Sequence, residues 1–150
     1  MNAPTLQTAR LTLGPATPDH AEAFVAFCAT DASRFIGGPA ERRDVWEGAA
    51  IMAGRWALRG YGPFWLSTAG VPVGRVGIFY PDRLAEPELS WVIYPAFQAQ
   101  GHATEAALAA RDRAGAVPGL RAVLEGPHEP NGGHPVMRWR HLAGTGSGQA

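Results

Sequence analysis

Polar and apolar residues alternate through Arg10-Leu11-Thr12-Leu13, which puts Leu11 and Leu13 on one face and predicts a first strand. The period then changes. Ala21, Phe24, Val25 and Cys28 recur at helical spacing behind Thr17-Pro18, where Thr17 suits the N-cap and Pro18 the first turn. Phe35-Ile36-Gly37-Gly38-Pro39 interrupts the pattern. A second helix is predicted over Glu41–Arg59, with Val45, Ala49, Met52 and Trp56 as its buried stripe and Gly60 placed to end it. Pro63–Ser67, Val73–Tyr80 and Leu89–Tyr94 read as strands, with Gly70 turning between the first two. An Ala-rich helix is expected over Ala103–Ala116. Ala122–Glu125 and Pro135–His141 then pair as strands around the turn sequence Pro130-Asn131-Gly132-Gly133. The order β-α-α-β-β-β-α-β-β predicts an α+β fold with a mainly antiparallel sheet.

Composition narrows the function without naming it. The 150 residues suit one domain, expected over 1–144, with 145–150 as a frayed tail. Lysine plus arginine and aspartate plus glutamate both number 13, so the formal charge is zero; this speaks against a nucleic-acid partner, which needs a basic surface. No apolar run is long enough to span a membrane, and MNAPTLQTAR has no signal core. Cys28 is the only cysteine, which removes disulfides and cysteine zinc sites and fits a reducing, cytoplasmic setting. His128, His134 and His141 lack a zinc spacing, so no metal is expected. Trp56, Tyr61, Phe64 and Trp65 read as core rather than as the floor of a pocket.

One segment carries candidate chemistry. Leu89–Tyr94 runs through a glycine-containing loop directly into a helix. A helix N-terminus offers unpaired N–H donors and the positive end of a dipole, and together these hold a diphosphate without any lysine. Gly101 allows close backbone approach and Ala103 leaves it open. On spacing alone the segment is equally an ordinary strand-to-helix turn.

Its residues say more than its spacing. Gln98-Ala99-Gln100-Gly101-His102-Ala103-Thr104-Glu105-Ala106 resembles the Q/R-x-x-G-x-G/A motif of the GNAT N-acetyltransferases, in the branch similar to the ribosomal-protein alanine acetyltransferases. Thr8-Ala9-Arg10-Leu11-Thr12-Leu13 resembles that branch's opening T-E-R-L-x-L strand. Phe35–Pro39 with Trp46, Trp56–Phe64, and Glu86-Pro87-Glu88-Leu89-Ser90-Trp91 resemble further segments in the same order. Ala9, Ala99 and Gln100 depart from the usual glutamate, glycine and basic residue.

The resemblance implies the GNAT fold and direct transfer of acetyl from acetyl-CoA, as co-substrate, to a primary amine on a small molecule or at a protein N-terminus. It places coenzyme A on Val92, Ile93 and Tyr94 and on Gln98, Ala99, Gln100, Gly101, His102, Ala103 and Thr104. The N–H of Val92 is the expected oxyanion donor. Glu88 is the candidate general base; Ser90 and Tyr94 share its face at period two, and either is a candidate to line the amine channel, Tyr94 reading equally as core. His102 is expected to pack near the phosphates.

After the CoA-binding helix the pattern breaks. The family's fifth strand and following helix should come next, yet Val123–Pro127 already resembles the sixth strand and Pro135–His141 the seventh. An internal deletion near Ala122–Val123 is the expectation, with loss of most of one strand and one helix. Asn131, within a turn sequence, then inherits no CoA-binding role. Such a chain is destabilised, or dimerises across the exposed surface as a homodimer, or binds CoA without efficient turnover as an impaired acyl-CoA-binding remnant. A cofactor-free interaction module is the remaining alternative.

Overall fold

The alternation around Leu11 and Leu13 becomes a strand, but a short one with an unforeseen partner. In the computed structural model, which describes residues 2–79 and 88–115 and the backbone of 122–131 and 134–141, β1 (Leu6–Gln7) pairs antiparallel with β2 (Thr12–Gly14). The sheet continues through β3 (Pro63–Thr68), β4 (Val71–Phe79) and β5 (Glu88–Ile93) in the order β1-β2-β3-β4-β5, every pair antiparallel. β6 (Ala122–Asn131) and β7 (His134–His141) form a separate antiparallel hairpin. β6 extends through Pro130 and Asn131, which the sequence assigned to a turn; Gly132, Gly133 and the expected tail lie outside the described residues.

Local signals explain the helices. Thr17 caps α1 (Pro18–Cys28) by accepting from the His20 amide at 3.4 Å, and the His20 imidazole accepts from the Thr17 amide at 3.2 Å. This is a capping box with histidine in the usual glutamate position. α2 (Arg42–Arg59) ends where Gly60 turns left-handed at φ 73° and its amide bonds the Trp56 carbonyl at 3.0 Å. Between them the predicted break is a 3-10 turn, Asp31–Ile36, closed by Gly37 at φ 96°. α3 (His102–Gly115) begins directly behind the glycine loop.

Two apolar clusters lie on opposite faces of the sheet. Leu89 and Ile93 of β5 join Leu11, Leu13, Leu66 and Val76 against Ala106, Ala107, Ala110 and Ala114 of α3, whose small side chains permit close packing. Val92 and Tyr94, the alternate residues, join Trp65 against Phe24, Phe27, Val45 and Met52 of α1 and α2. Trp56, Phe64 and Trp65 are core, as expected, and the Trp56 indole donates to the Pro63 carbonyl at 2.8 Å. Gly74, at φ 155°, lies where a Cβ would overlap the Val92 carbonyl oxygen, so β4 and β5 reach their spacing only with glycine there.

Candidate functional site

The site is built on the outer edge of β5. The Tyr94 amide bonds the Val73 carbonyl at 2.9 Å, which makes that pair a hydrogen-bonded one. In an antiparallel ladder such pairs alternate, so Arg75↔Val92, Gly77↔Ser90 and Phe79↔Glu88 are also hydrogen-bonded pairs. The amides of Glu88, Ser90 and Val92 therefore face β4, and those of Leu89, Trp91 and Ile93 face the opposite edge. This corrects the expectation for the Val92 N–H, which is turned into the ladder; the outward donors at that level are Trp91 and Ile93. Sequence periodicity finds strand faces but not which edge an amide uses, because that depends on register.

Beyond Ile93 the chain bends back on itself. Gln98 Nε2 donates to the Ile93 carbonyl at 2.8 Å and brackets the loop against the strand end. The Pro95–Phe97 turn is closed by Phe97 to Tyr94 at 2.9 Å and Gln98 to Pro95 at 3.3 Å. Ala99 at φ 58° and Gly101 at φ 82° are both left-handed. The first helical bond runs from the Glu105 amide to the Gly101 carbonyl at 3.1 Å. Among the described residues, no acceptor takes the amides of residues 99–104. Left-handed turns feeding a helix N-terminus gather such amides into an anion-binding concavity.

A cation stands beside it that sequence reasoning did not assign. Arg10 reaches from the β1–β2 connection, its Nη1 donating to the Gln100 carbonyl at 2.6 Å and its Nε to Glu105 at 2.8 Å. Its Nη2 lies 3.2 Å from where a Cβ on Gly101 would stand. The positive charge that Gln100 lacks is thus supplied from a distant segment. The signal lay in the Thr8–Leu13 motif, but sequence gives no distance between residue 10 and residue 101.

The remaining predicted residues divide. Val92, Ile93, Gln98 and Ala103 share a cleft of about 310 Å³, walled by Phe27 and Phe35. Ala99, Gln100, Gly101 and Thr104 are exposed along the loop and offer backbone. His102 turns inward: it is 5% exposed, and its Nδ1 lies 3.0 Å from the Phe97 carbonyl, so the proton is on that nitrogen. Only its amide is left for the loop. The Tyr94 ring packs on Phe27 at 5.2 Å, with its hydroxyl buried and unpaired and its phenol pushed up by burial. Ser90 and Glu88, both half-buried, lie outside the cleft lining, about 7 and 13 Å along β5 from Val92 at the usual rise of a strand. No group of three metal-ligating side chains occurs among the described residues. The side chains of His128, His134 and His141 lie outside them.

Comparison with known proteins places this geometry. Residues 10–133 match the model of the acetyltransferase (GNAT) domain. No curated protein matches the chain. Among solved structures, an acetyltransferase of Agrobacterium tumefaciens is 30% identical with a TM-score of 0.73, over 87% of this chain and 78% of that one. A Salmonella typhimurium acetyltransferase that modifies the N-terminal serine of ribosomal protein L7/L12 shares the fold at 11% identity and TM-score 0.61, over 91% and 96% of the two chains. The microcin C7 self-immunity acetyltransferase, solved with acetyl-CoA and AMP, does so at 10% identity and TM-score 0.58, over 89% and 92%.

Proposed function

This chain belongs to the GNAT acetyltransferase family, and on that premise we propose that it transfers the acetyl group of acetyl-CoA to a primary amine. The observation that carries this reading is the run of unbonded amides at residues 99–104 with the Arg10 guanidinium beside Gly101. The arrangement fits a diphosphate: several fixed donors, a helix dipole and one cation converge on one concave backbone.

The outward edge of β5 continues from that concavity. There, among the described residues, the Trp91 and Ile93 amides and the Trp91 carbonyl join no ladder, with β7 alongside, and are the groups assigned to the pantetheine arm and the thioester carbonyl. An N–H fixed in a strand stabilises a developing oxyanion without reorganising. Acetyl-CoA supplies an activated acyl group; the amine nitrogen bonds the acyl carbon, the carbon–sulfur bond breaks, and the amine gives up a proton. Alignment by the loop and strand does much of this work. Glu88, about 13 Å along β5 from Val92, is the group assigned to take the proton, through water passing Ser90.

Thermal denaturation with and without acetyl-CoA tests the binding half of the reading. Ligand at 100 times its Kd stabilises by about 2.7 kcal/mol. Thiol release on an amine panel tests the transfer half. No thermal shift at saturating acetyl-CoA overturns the assignment.

A second reading, an acyl-CoA-binding remnant with weak turnover, is favoured by a separate observation. β5 ends the five-stranded sheet, and only residues 116–121 separate α3 from β6. So short a connection leaves no room for the strand and helix expected there, and β7 lies beside β5 without joining its ladder. A thermal shift without thiol release on any amine supports this reading, and restoring the missing segment from a full-length relative should then raise turnover.

A further inference from the structure

Arg75 interrupts the apolar run of β4 and is 8% exposed. Its Nε is sealed from solvent, and among the described residues its guanidinium makes no hydrogen bond or ion pair. It lies on the sheet face covered by α1, with its Cζ 5.5 Å from the Phe24 ring centroid. Its electrostatic neighbours are Tyr94, Cys28 and the like-charged Arg55. Burial pushes both the Cys28 thiol and the Tyr94 phenol up, so both are neutral near pH 7 and neither offers a counter-charge. Burial also weakens the hold of the guanidinium on its proton, yet arginine keeps its charge in proteins. Among the described residues the Tyr94 hydroxyl is a second buried group without a partner. A buried cation next to a buried unpaired hydroxyl is costly unless something anionic completes it.

We propose that Arg75 and Tyr94 form a subsite for a carboxylate on the acceptor, so that the acceptor is a small amine bearing a carboxylate, such as an amino acid. The inference rests on the acetyl-transfer reading and narrows it. Position supports it: Arg75 pairs across the ladder with Val92, and Ser90 and Tyr94 follow on the same face of β5. In an amino acid the amine stands two bonds from the carboxyl carbon. A carboxylate held at Arg75, whose guanidinium lies by Phe24 under α1, keeps the amine on the sheet face that carries Ser90, Val92 and Tyr94. Charge supports it too. The two nearest ionisable groups, Tyr94 and Cys28, are neutral, and Arg55 adds positive charge, so an anion is favoured beside the guanidinium. The planar guanidinium also matches a carboxylate with two parallel hydrogen bonds. A protein N-terminus, whose first carbonyl is a neutral amide, does not satisfy the site.

The test compares a panel of amino acids with their own carboxamides as acceptors of the wild-type chain. The acids are expected to exceed the amides in kcat/KM by about tenfold or more, in line with one charged hydrogen-bonded pair. Arg75→Met should erase that preference, and Arg75→Lys should keep part of it. In parallel, sodium glutamate should raise Tm above sodium chloride at equal ionic strength in wild type, without acetyl-CoA present. Should Arg75→Met fail to fold, the wild-type comparisons still decide. Amides acetylated as well as acids overturn the carboxylate subsite and leave acetyl transfer standing. A glutamate-specific shift with no amine acetylated keeps the subsite and removes the acetyl-transfer reading. Equal shifts in glutamate and chloride count against the subsite.

Discussion

Arg10 and Glu105, 95 positions apart, meet at 2.8 Å between Nε and Oε2. Glu105 also accepts from the Arg10 amide at 2.8 Å and from the Thr8 hydroxyl at 2.6 Å. One carboxylate in the first turn of α3 therefore ties the β1–β2 connection to the loop of unbonded amides. It also orients Arg10 so that Nη1 holds the Gln100 carbonyl and Nη2 lies over Gly101. A carboxylate near a helix N-terminus is further favoured by the dipole.

Glu105→Gln is accordingly expected to weaken acetyl-CoA binding by about tenfold, the worth of one charge-assisted hydrogen bond. Arg10→Ala should weaken it comparably, and the double variant less than the sum of the two, because the residues act as a unit. Isothermal titration of the four proteins measures the coupling; strict additivity would deny that Glu105 acts through Arg10.

The same carboxylate should resist acid. The Thr8 hydroxyl first, then the Arg10 amide and guanidinium, hold the Glu105 carboxyl down at about 2. Its folded value lies below its unfolded one, so its contribution is complete above about pH 4.3 and fades as pH falls toward 2. Thr8→Ala should move that loss to higher pH, readable in thermal melts taken between pH 3 and 5.

His20 should impose a second acid limit, at higher pH. Its Nε2 lies 2.8 Å from the Ser67 hydroxyl and its ring is largely enclosed, which lowers its proton affinity by desolvation despite Asp19 nearby. Unfolding then takes up a proton. The neutral ring contributes fully above about pH 6.5, and stability falls as pH drops below that value. A His20→Gln variant should show a flatter Tm profile between pH 5 and 8; an unchanged slope would remove His20 from the account.

Two glycines test the backbone. Gly74→Ala drives a methyl group into the Val92 carbonyl, and is expected to cost about 3 kcal/mol or more of stability in denaturant titration, in the range of severe steric variants. Gly101→Val, at φ 82° and facing Arg10, should cost about 1–2 kcal/mol in stability and lose acetyl-CoA affinity out of proportion to that. A Gly101→Val protein that binds as wild type would remove the loop from the site.

Local code settled much of this molecule. Thr17-Pro18 starts α1, Gly60 stops α2, short strand-like runs with Gly70 between the first two mark β3 to β5, and the Gln98–Ala106 motif opens α3. Those signals act over a few residues, so chain order alone carries them, and the GNAT resemblance came through the same segments. What tertiary structure decided was everything that joins distant positions. β1 exists only because Leu6 finds Leu13; the outward donors are Trp91 and Ile93 rather than Val92 because β5 meets β4 in one register. Arg10 reached the loop and Arg75 was sealed under α1 for the same reason. Hydrogen bonding and burial of charge depend on which surfaces meet in three dimensions, and a one-dimensional pattern holds no distance between residues 10 and 101, or between 75 and 94.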